Sequence, residues 1–316
     1  MGTYKDRFGP HNPDATYVAH AFEERLADLG EVQMNYATVG DAAKPALLLI
    51  PGQTESWWGY EDALPLLADH FNAFAVDLRG QGRSSRTPGR YTRDNMGNDL
   101  VRFVDTVIGR PTYVSGLSSG GVLSAWLSAY AKPGQVLGAH YEDPPLFASE
   151  LTPAVGTSVR HGIGPLFNLW ATFLGNQWSI GDWEGMQAAA PTFLPAWMAG
   201  FAGRPAAKPP QNLKEYDPEW GRAFWTGTVA ASCDHESMLR KVNVPVLFTH
   251  HFRVLSGEGA LMGAISDLQV ERVRSLVTGA GQPFDYRSFP QMGHSFHGQD
   301  PKLWAETVVD WVSTLP

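Results

Sequence analysis

The sequence of 316 residues contains only one cysteine, Cys233, and no long apolar run. A single cysteine excludes a disulfide within the chain and is typical of a reducing compartment, so we expect a cytoplasmic protein. No apolar stretch approaches the ~18 residues of a membrane span. The charged residues near the N-terminus are not followed by an apolar run, so we expect no secretory signal.

Basic charge and metal-ligand spacings are also scarce. The formal net charge is −8 at pH 7, and this excess of acidic groups argues against nucleic acid or an anionic membrane as a partner. No histidine pair has the H-x-x-x-H spacing with a third ligand that zinc sites use. We therefore expect no metal ion.

Apolar side chains, by contrast, are plentiful enough for a large core. Hydrophobic residues make up 43% of the chain and charged residues 18%, which indicates a folded protein rather than a disordered one. The length fits one large α/β domain with an insertion. We divide the chain into a flexible N-terminal segment (1–16), a first core part (17–145), a helical cap (146–240) and a second core part (241–316).

Short apolar runs alternate with helical patterns on both sides of segment 146–240. This alternation predicts parallel strands joined by right-handed crossovers. Two alternating segments around Gly30 predict an antiparallel hairpin at the sheet edge. The other predicted strands are 46–50, 74–76, 112–115, 136–141, 244–248 and 284–289, and the predicted helices are 60–70, 93–108, 122–127, 267–277 and 301–312.

The pattern G-x-S-x-G at 116–120 lies between the apolar strand 112–115 and a helical segment. Strand, G-x-S-x-G and helix together are typical of a nucleophile elbow, a turn so tight that the residues flanking the serine must be small. We predict that Ser118 is a nucleophile at the end of the sheet. The backbone N–H of Ser119 then points to where an oxyanion would form.

A serine hydroxyl needs a base, which is usually a histidine oriented by a carboxylate. His294 lies after the last predicted strand and before the last helix. Enzymes with a nucleophile elbow carry their catalytic base at this place. His297, three residues on, is the alternative candidate for the base. If it is not the base, we expect it to be a supporting residue of the same loop. His250 and His251 close the preceding strand, and we expect them to line the cleft or to contact the carboxylate.

The carboxylate is harder to place, because the usual position after the strand at 244–248 holds no acid. Glu142, at the end of the strand after the nucleophile, can reach the histidine loop, so we predict it as the acid. Asp267 and Glu258 are the alternatives. The neighbouring Asp143 would point to the other side of the sheet if the alternation of the strand continued.

The second oxyanion donor is expected from the loop after strand 46–50. We choose the N–H of Gln53, with Gly52 allowing the substrate a close approach. The predicted cap is rich in tryptophan. Most of these side chains belong in its core, but Trp183 and Trp197 are our candidates for contacts with an apolar substrate.

Several motifs together resemble the α/β-hydrolase superfamily over essentially the whole chain, and within it the zearalenone hydrolases, which open the lactone ring of a mycotoxin. They are the sequence DLRGQGRS at 77–84, the doubled serine of the elbow, the glutamate and prolines at 142–145, and PAWMAG at 195–200. The chain departs from the fungal members in its greater length and in Gly52-Gln53, where they have aspartate and glycine.

The resemblance implies an α/β-hydrolase fold: a mostly parallel eight-stranded sheet with helices on both faces and an inserted, mainly helical cap. It implies a Ser118–Glu142–His294 triad with Gln53 and Ser119 as oxyanion donors, no cofactor, a small hydrophobic ester or lactone as substrate, and a homodimer. Two other functions stay open. One is a general carboxylesterase or C–C bond hydrolase, and the other is a non-catalytic binder of hydrophobic ligands. A halide- or epoxide-processing enzyme would carry aspartate in place of Ser118.

Overall fold

A computed structural model describes residues 18–179, 181–194, 209–255 and 261–315. The predictions made for segment 1–16, for Trp197 and for Glu258 lie outside these residues. The described strands are β1 (Arg25–Asp28), β2 (Gln33–Val39), β3 (Ala46–Ile50), β4 (Asn72–Val76), β5 (Thr112–Leu117), β6 (Val136–Glu142), β7 (Val246–His250), β8 (Val254–Leu255), β9 (Leu261–Met262) and β10 (Phe284–Ser288).

Eight of these strands form one sheet within the described residues, in the order β1-β2-β4-β3-β5-β6-β7-β10. β1 pairs with β2, and β2 with β4, in antiparallel fashion. The other neighbours are parallel. The predicted edge hairpin and the mostly parallel eight-stranded sheet are therefore confirmed. β8 and β9 form a separate antiparallel ribbon.

The central strand β3 shows why the sheet needs helices on both faces. All five of its residues are apolar and buried. Leu48 and Ile50 pack into a cluster with α2 (Arg93–Phe103) and α3 (Ser119–Tyr130). Leu47 and Leu49 pack with α1 (Leu64–Leu67) and α11 (Pro301–Ser313) on the opposite face. The helices are α1 (Leu64–Leu67), α2 (Arg93–Phe103), α3 (Ser119–Tyr130), α4 (Val159–Phe173), α5 (Trp183–Phe193), α6 (Gln211–Lys214), α7 (Pro218–Thr226), α8 (His235–Leu239), α9 (Asp267–Gly279), α10 (Phe296–Gln299) and α11 (Pro301–Ser313).

Two prolines explain the main differences from the predicted boundaries. In place of one helix over 60–70, the chain makes a 3₁₀ turn (Trp57–Tyr60) and the single-turn α1, with Pro65 in its first turn. A proline has no N–H and cannot continue a helix from the turn before it, whereas it is tolerated at a helix start. Likewise β7 begins at Val246, because Pro245 cannot donate to the ladder of a central strand.

The segment 146–240 contributes helices and no strand of the sheet, as far as its residues are described. α4 packs against both α5 and α7, and with α5 it forms a small apolar cluster separate from the main core. We keep the name cap segment for 146–240. Among the described residues, no helix is both long and apolar enough to cross a membrane.

Candidate active site

Ser118 occupies the sharp turn between β5 and α3. Its backbone adopts φ 54° and ψ −115°, a conformation that residues other than glycine avoid and that functional sites retain at an energetic cost. The turn is tight because α3 approaches β3 closely: a Cβ at Gly120 would lie 2.2 Å from the carbonyl oxygen of Ile50. The small residues that the motif predicts are therefore required by packing.

His294 and Ser118 line one cavity of about 290 Å³. The imidazole Nδ1 of His294 lies 2.7 Å from Oδ2 of Asp143, which is completely buried, while the histidine side chain remains 37% exposed. Nδ1 thus donates to a carboxylate, and the ring is oriented as a base beside a nucleophile needs to be.

The carboxylate that contacts His294 differs from the one we predicted. The sequence assigned this position to Glu142 and pointed Asp143 away from it. In the structure β6 ends at Glu142, and Asp143 has φ 41°. The alternation of side chains stops where the strand stops, so the left-handed turn brings Asp143 to the histidine loop.

Glu142 contacts His297 instead of His294. Its carboxylate accepts hydrogen bonds from the backbone N–H groups of Phe296 and His297, from Nδ1 of His297 at 3.0 Å, and from Nε1 of Trp304 at 2.8 Å. On the other side of the ring, Nε2 of His297 lies 3.3 Å from Oε1 of Glu55. His297 therefore sits between two carboxylates.

These contacts raise the pKa of both histidines. Burial alone would lower the pKa of His294, but the hydrogen bond and charge of Asp143 outweigh it and raise that pKa above its ordinary value. Burial likewise opposes charge on His297, yet Glu142 and Glu55 raise its pKa to about 10. Burial would raise the pKa of Glu142, and the His297 charge instead lowers it to about 2. His297 is an imidazolium at pH 7, so it is unsuited to act as a base.

The other candidates lie elsewhere. Asp267 is 76% exposed and pairs with Arg253 at 2.8 Å, so it does not support His294. His251 donates from Nδ1 to the carbonyl oxygen of Gly293 at 2.7 Å, and the same nitrogen lies 3.8 Å from Oδ2 of Asp143. His250 contacts the carbonyl oxygen of Ile265 at 3.1 Å.

The loop after β3 forms another part of the cavity wall. Gly52, Gln53 and Glu55 line it. Gln81 donates to the carbonyl oxygen of Gly52 at 2.7 Å, and Gly52 donates to Glu55 at 3.0 Å. Within the described residues, the N–H groups of Gln53 and Ser119 have no acceptor. Both remain free to bind a developing oxyanion.

The cap segment anchors this loop through residues that the sequence analysis did not select. Tyr216 accepts a hydrogen bond from Nε2 of Gln53 at 2.6 Å, and Asn212 donates to the carbonyl oxygen of Thr54 at 3.0 Å. Glu215 accepts from Ser56 at 2.7 Å and from the indole of Trp58 at 2.8 Å. The partners are more than 150 residues apart, and no local pattern marks them.

The aromatic residue that lines the cavity is not the predicted Trp183. Trp58 lines the cavity together with Asn212. Trp183 is instead buried in the apolar cluster of the cap segment with Leu166 and Met186. In the described part of the chain, no group of three or more histidine, cysteine, aspartate or glutamate residues could hold a metal ion.

Comparisons with known proteins identify the family and support the fold. The sequence model of the alpha/beta hydrolase family matches residues 47–307. The chain is 31% identical to 3-oxoadipate enol-lactonase 2 of Acinetobacter baylyi over 102 residues, which are 32% of this chain and 38% of that one. It is 26% identical to fluoroacetate dehalogenase of a Burkholderia species over 271 residues, 79% of this chain and 82% of the other. The solved enol-lactonase of Burkholderia xenovorans LB400 superposes with a TM-score of 0.66 at 18% identity, over 92% of this chain and 100% of the other.

Proposed function

Because the chain belongs to the alpha/beta hydrolase family, we propose that it is a serine hydrolase that opens the macrocyclic lactone of zearalenone or of a related resorcylic acid lactone. One observation carries the catalytic part of this proposal. The strained Ser118 shares a cavity with His294, whose Nδ1 lies 2.7 Å from the buried Asp143. Nucleophile, base and orienting acid are thus present together.

The reaction follows the roles that these groups can take. Ser118 Oγ attacks the lactone carbonyl while Nε2 of His294 takes its proton, and Asp143 stabilises the imidazolium. The N–H groups of Gln53 and Ser119 bind the oxyanion. The ring oxygen leaves with the proton from His294, which opens the ring and forms an acyl-enzyme. Water, activated by His294, then releases the acid and restores Ser118.

The choice of a lactone rests on sequence resemblance and on relatives. The doubled serine and the segment PAWMAG at 195–200 resemble zearalenone hydrolases, and one relative is by name an enol-lactonase. Trp58 and Leu117 give the cavity apolar surface beside the nucleophile, which suits a hydrophobic ester. Serine rather than aspartate at position 118 disfavours dehalogenase or epoxide chemistry.

The test is chromatography of zearalenone incubated with the wild type, with Ser118→Ala and with Ser124→Ala. Ser124 is a matched control, because it lies on the helix that follows Ser118, is buried, and its Oγ has no hydrogen-bond partner among the described residues. We expect ring-opened product from the wild type and from Ser124→Ala only. Hydrolysis of simple aryl esters without conversion of zearalenone would reject the lactone substrate and favour a general carboxylesterase. Absence of any turnover would favour a ligand binder, and turnover by Ser118→Ala would reject the nucleophile.

A further inference from the structure

One buried side chain contacts the residue that follows the nucleophile, and no step of the proposed reaction uses it. Arg93, the first residue of α2, has no exposed surface. Its guanidinium donates to Oγ of Ser119 at 3.1 Å and to the carbonyl oxygen of Ser119 at 3.4 Å. Nε has no hydrogen-bond partner among the described residues. The contacts of this cation thus converge on the residue that follows the nucleophile.

The charge of Arg93 is not balanced by an anion. In the part of the chain that the structure describes, the titratable groups that interact with it are Cys233 and His235, and no carboxylate is among them. Burial raises the pKa of the Cys233 thiol to about 12 and lowers the pKa of His235 to about 3, so both are neutral at pH 7. Burial lowers the pKa of Arg93 only to about 10, and the guanidinium stays charged.

The surroundings of Arg93 make this charge still less favourable for the resting protein. Arg93 itself begins α2, and its partner Ser119 begins α3. The N-terminus of a helix carries a partial positive charge, so a cation between two of them is repelled by both. A buried, unpaired charge is costly to keep. Arg79, another buried arginine of this chain, shows the usual solution: it makes a bidentate ion pair with Asp99 at 2.7 and 2.8 Å.

We propose that Arg93 is a positioning residue for the oxyanion hole, and that its missing counter-charge is the oxyanion of the tetrahedral intermediate. This inference rests on the proposed function, because it needs the N–H of Ser119 to bind that oxyanion. Arg93 fixes the side chain and carbonyl of Ser119, and so the direction of its N–H. It also adds a buried positive charge that is compensated only when negative charge develops on the substrate.

The experiment compares the full-length wild type with Arg93→Met, Arg93→Lys and Arg79→Met. We would measure kcat and KM on an aryl ester, the inhibition constant of an aryl trifluoromethyl ketone, and the melting temperature. The ketone forms an anionic tetrahedral adduct with an active serine. Loss of a direct oxyanion donor costs about 10²–10³ in kcat. Because Arg93 acts through Ser119, we expect Arg93→Met to lose about 10- to 100-fold in kcat, with KM within about twofold.

The pattern across the variants separates a functional from a structural role. Removing an uncompensated buried charge should leave the melting temperature of Arg93→Met unchanged or higher, and inhibition by the ketone should weaken in parallel with kcat. Arg93→Lys should recover much of the rate. Arg79→Met, which strands Asp99, should melt lower but keep its kcat per folded molecule. An insoluble or destabilised Arg93→Met, or one with wild-type kcat, would overturn the inference. Turnover by Ser118→Ala would instead reject the proposed function itself.

Discussion

Two adjacent carboxylates, Glu142 and Asp143, have different partners because the strand ends between them. Asp143 turns to His294, whereas Glu142 is enclosed by N–H donors and the His297 ring. Only Asp143 contacts a histidine that lines the cavity of the nucleophile. In the proposed mechanism, catalysis depends on Asp143 and stability on its neighbour Glu142, and substitution can separate the two.

We predict that Asp143→Asn lowers kcat/KM by about 10⁴, because an amide cannot support the imidazolium or its tautomer. Glu142→Gln leaves the His297 cation without its main partner, and breaking a buried ion pair costs about 3–5 kcal/mol of unfolding free energy. Steady-state kinetics and chemical denaturation of both variants check this. The larger activity loss should belong to Asp143→Asn and the larger stability loss to Glu142→Gln, and the reverse order would return the acid role to Glu142.

The raised pKa of His294 predicts a pH profile. The base must be neutral to take the serine proton, so kcat/KM should rise with pH through the pKa of the free enzyme. Because Asp143 raises that pKa above 6.5, the acid limb should lie above pH 6.5. In Asp143→Asn the residual activity should show a limb at lower pH. An unshifted limb in that variant would mean that Asp143 does not face the base.

At the scale of elements, the site is formed where the ends of β3, β5 and β6 meet the loop before α10. Segment 211–216 of the cap segment binds the oxyanion loop through Asn212, Glu215 and Tyr216. The elbow fits because α3 approaches β3 without side chains between them. The position of the nucleophile therefore depends on backbone packing as well as on side chains.

We predict that Gly120→Ala disrupts this approach. Its Cβ would lie 2.2 Å from the carbonyl oxygen of Ile50 and 2.6 Å from that of Pro51, and overpacking of this kind costs at least about 1–3 kcal/mol. Gly279→Ala is the matched control, because a Cβ there meets nothing within 4 Å. Thermal unfolding should show a lower midpoint, or no soluble protein, for Gly120→Ala alone. An unaltered midpoint would contradict the tight packing of the elbow.

At the scale of the whole molecule, one buried ionic cluster connects distant parts of the chain. His297 lies between Glu142 at the end of β6 and Glu55 of the oxyanion loop, and its ring stacks on Tyr60 with centroids 3.9 Å apart. Trp304 of α11 completes the cluster by donating to Glu142. Sheet, loop and C-terminal helices thus share a single imidazolium.

This cluster predicts that stability falls at alkaline pH. The pKa of His297 is about 10 in the folded protein against 6.5 for a free histidine, so its contribution is complete below pH 6.5 and is lost as the pH rises through 10. The buried Asp77, with a pKa of about 8, has the same sign below that pH. Between pH 8 and 9 the slope therefore comes mainly from His297, which contributes at most about 1.4 kcal/mol per pH unit. Above pH 9 the thiol of Cys233, whose pKa is raised by burial to about 12, adds a slope of the same sign.

Denaturation curves between pH 8 and 9 test this for the wild type, His297→Gln and the exposed control His161→Gln. The slope should be strongly reduced only in His297→Gln. A wild type whose stability is constant over this range would contradict an imidazolium at position 297.

The sequence was sufficient to predict the strands and the tight turn at Ser118, because each depends on a local pattern. The apolar run of β3 and the G-x-S-x-G turn are examples. The carboxylate that contacts His294 lies one residue after the predicted one, since strand alternation does not reveal that Asp143 takes a positive φ. The contacts of Tyr216 and of Arg93 depend on chain segments brought together only by folding. Trp183 was predicted to contact the substrate, but it packs in the core of the cap segment. The number of aromatic residues in a segment does not show which of them face a cavity.

Labelling with a fluorophosphonate that reacts with activated serines, followed by peptide mass spectrometry, tests the triad most directly. The account predicts one adduct on Ser118 in the wild type, none in Ser118→Ala, much slower labelling of Asp143→Asn, and a near wild-type rate for folded Glu142→Gln. An unlabelled wild type, or labelling that Glu142→Gln slows and Asp143→Asn does not, would contradict a Ser118–His294–Asp143 triad.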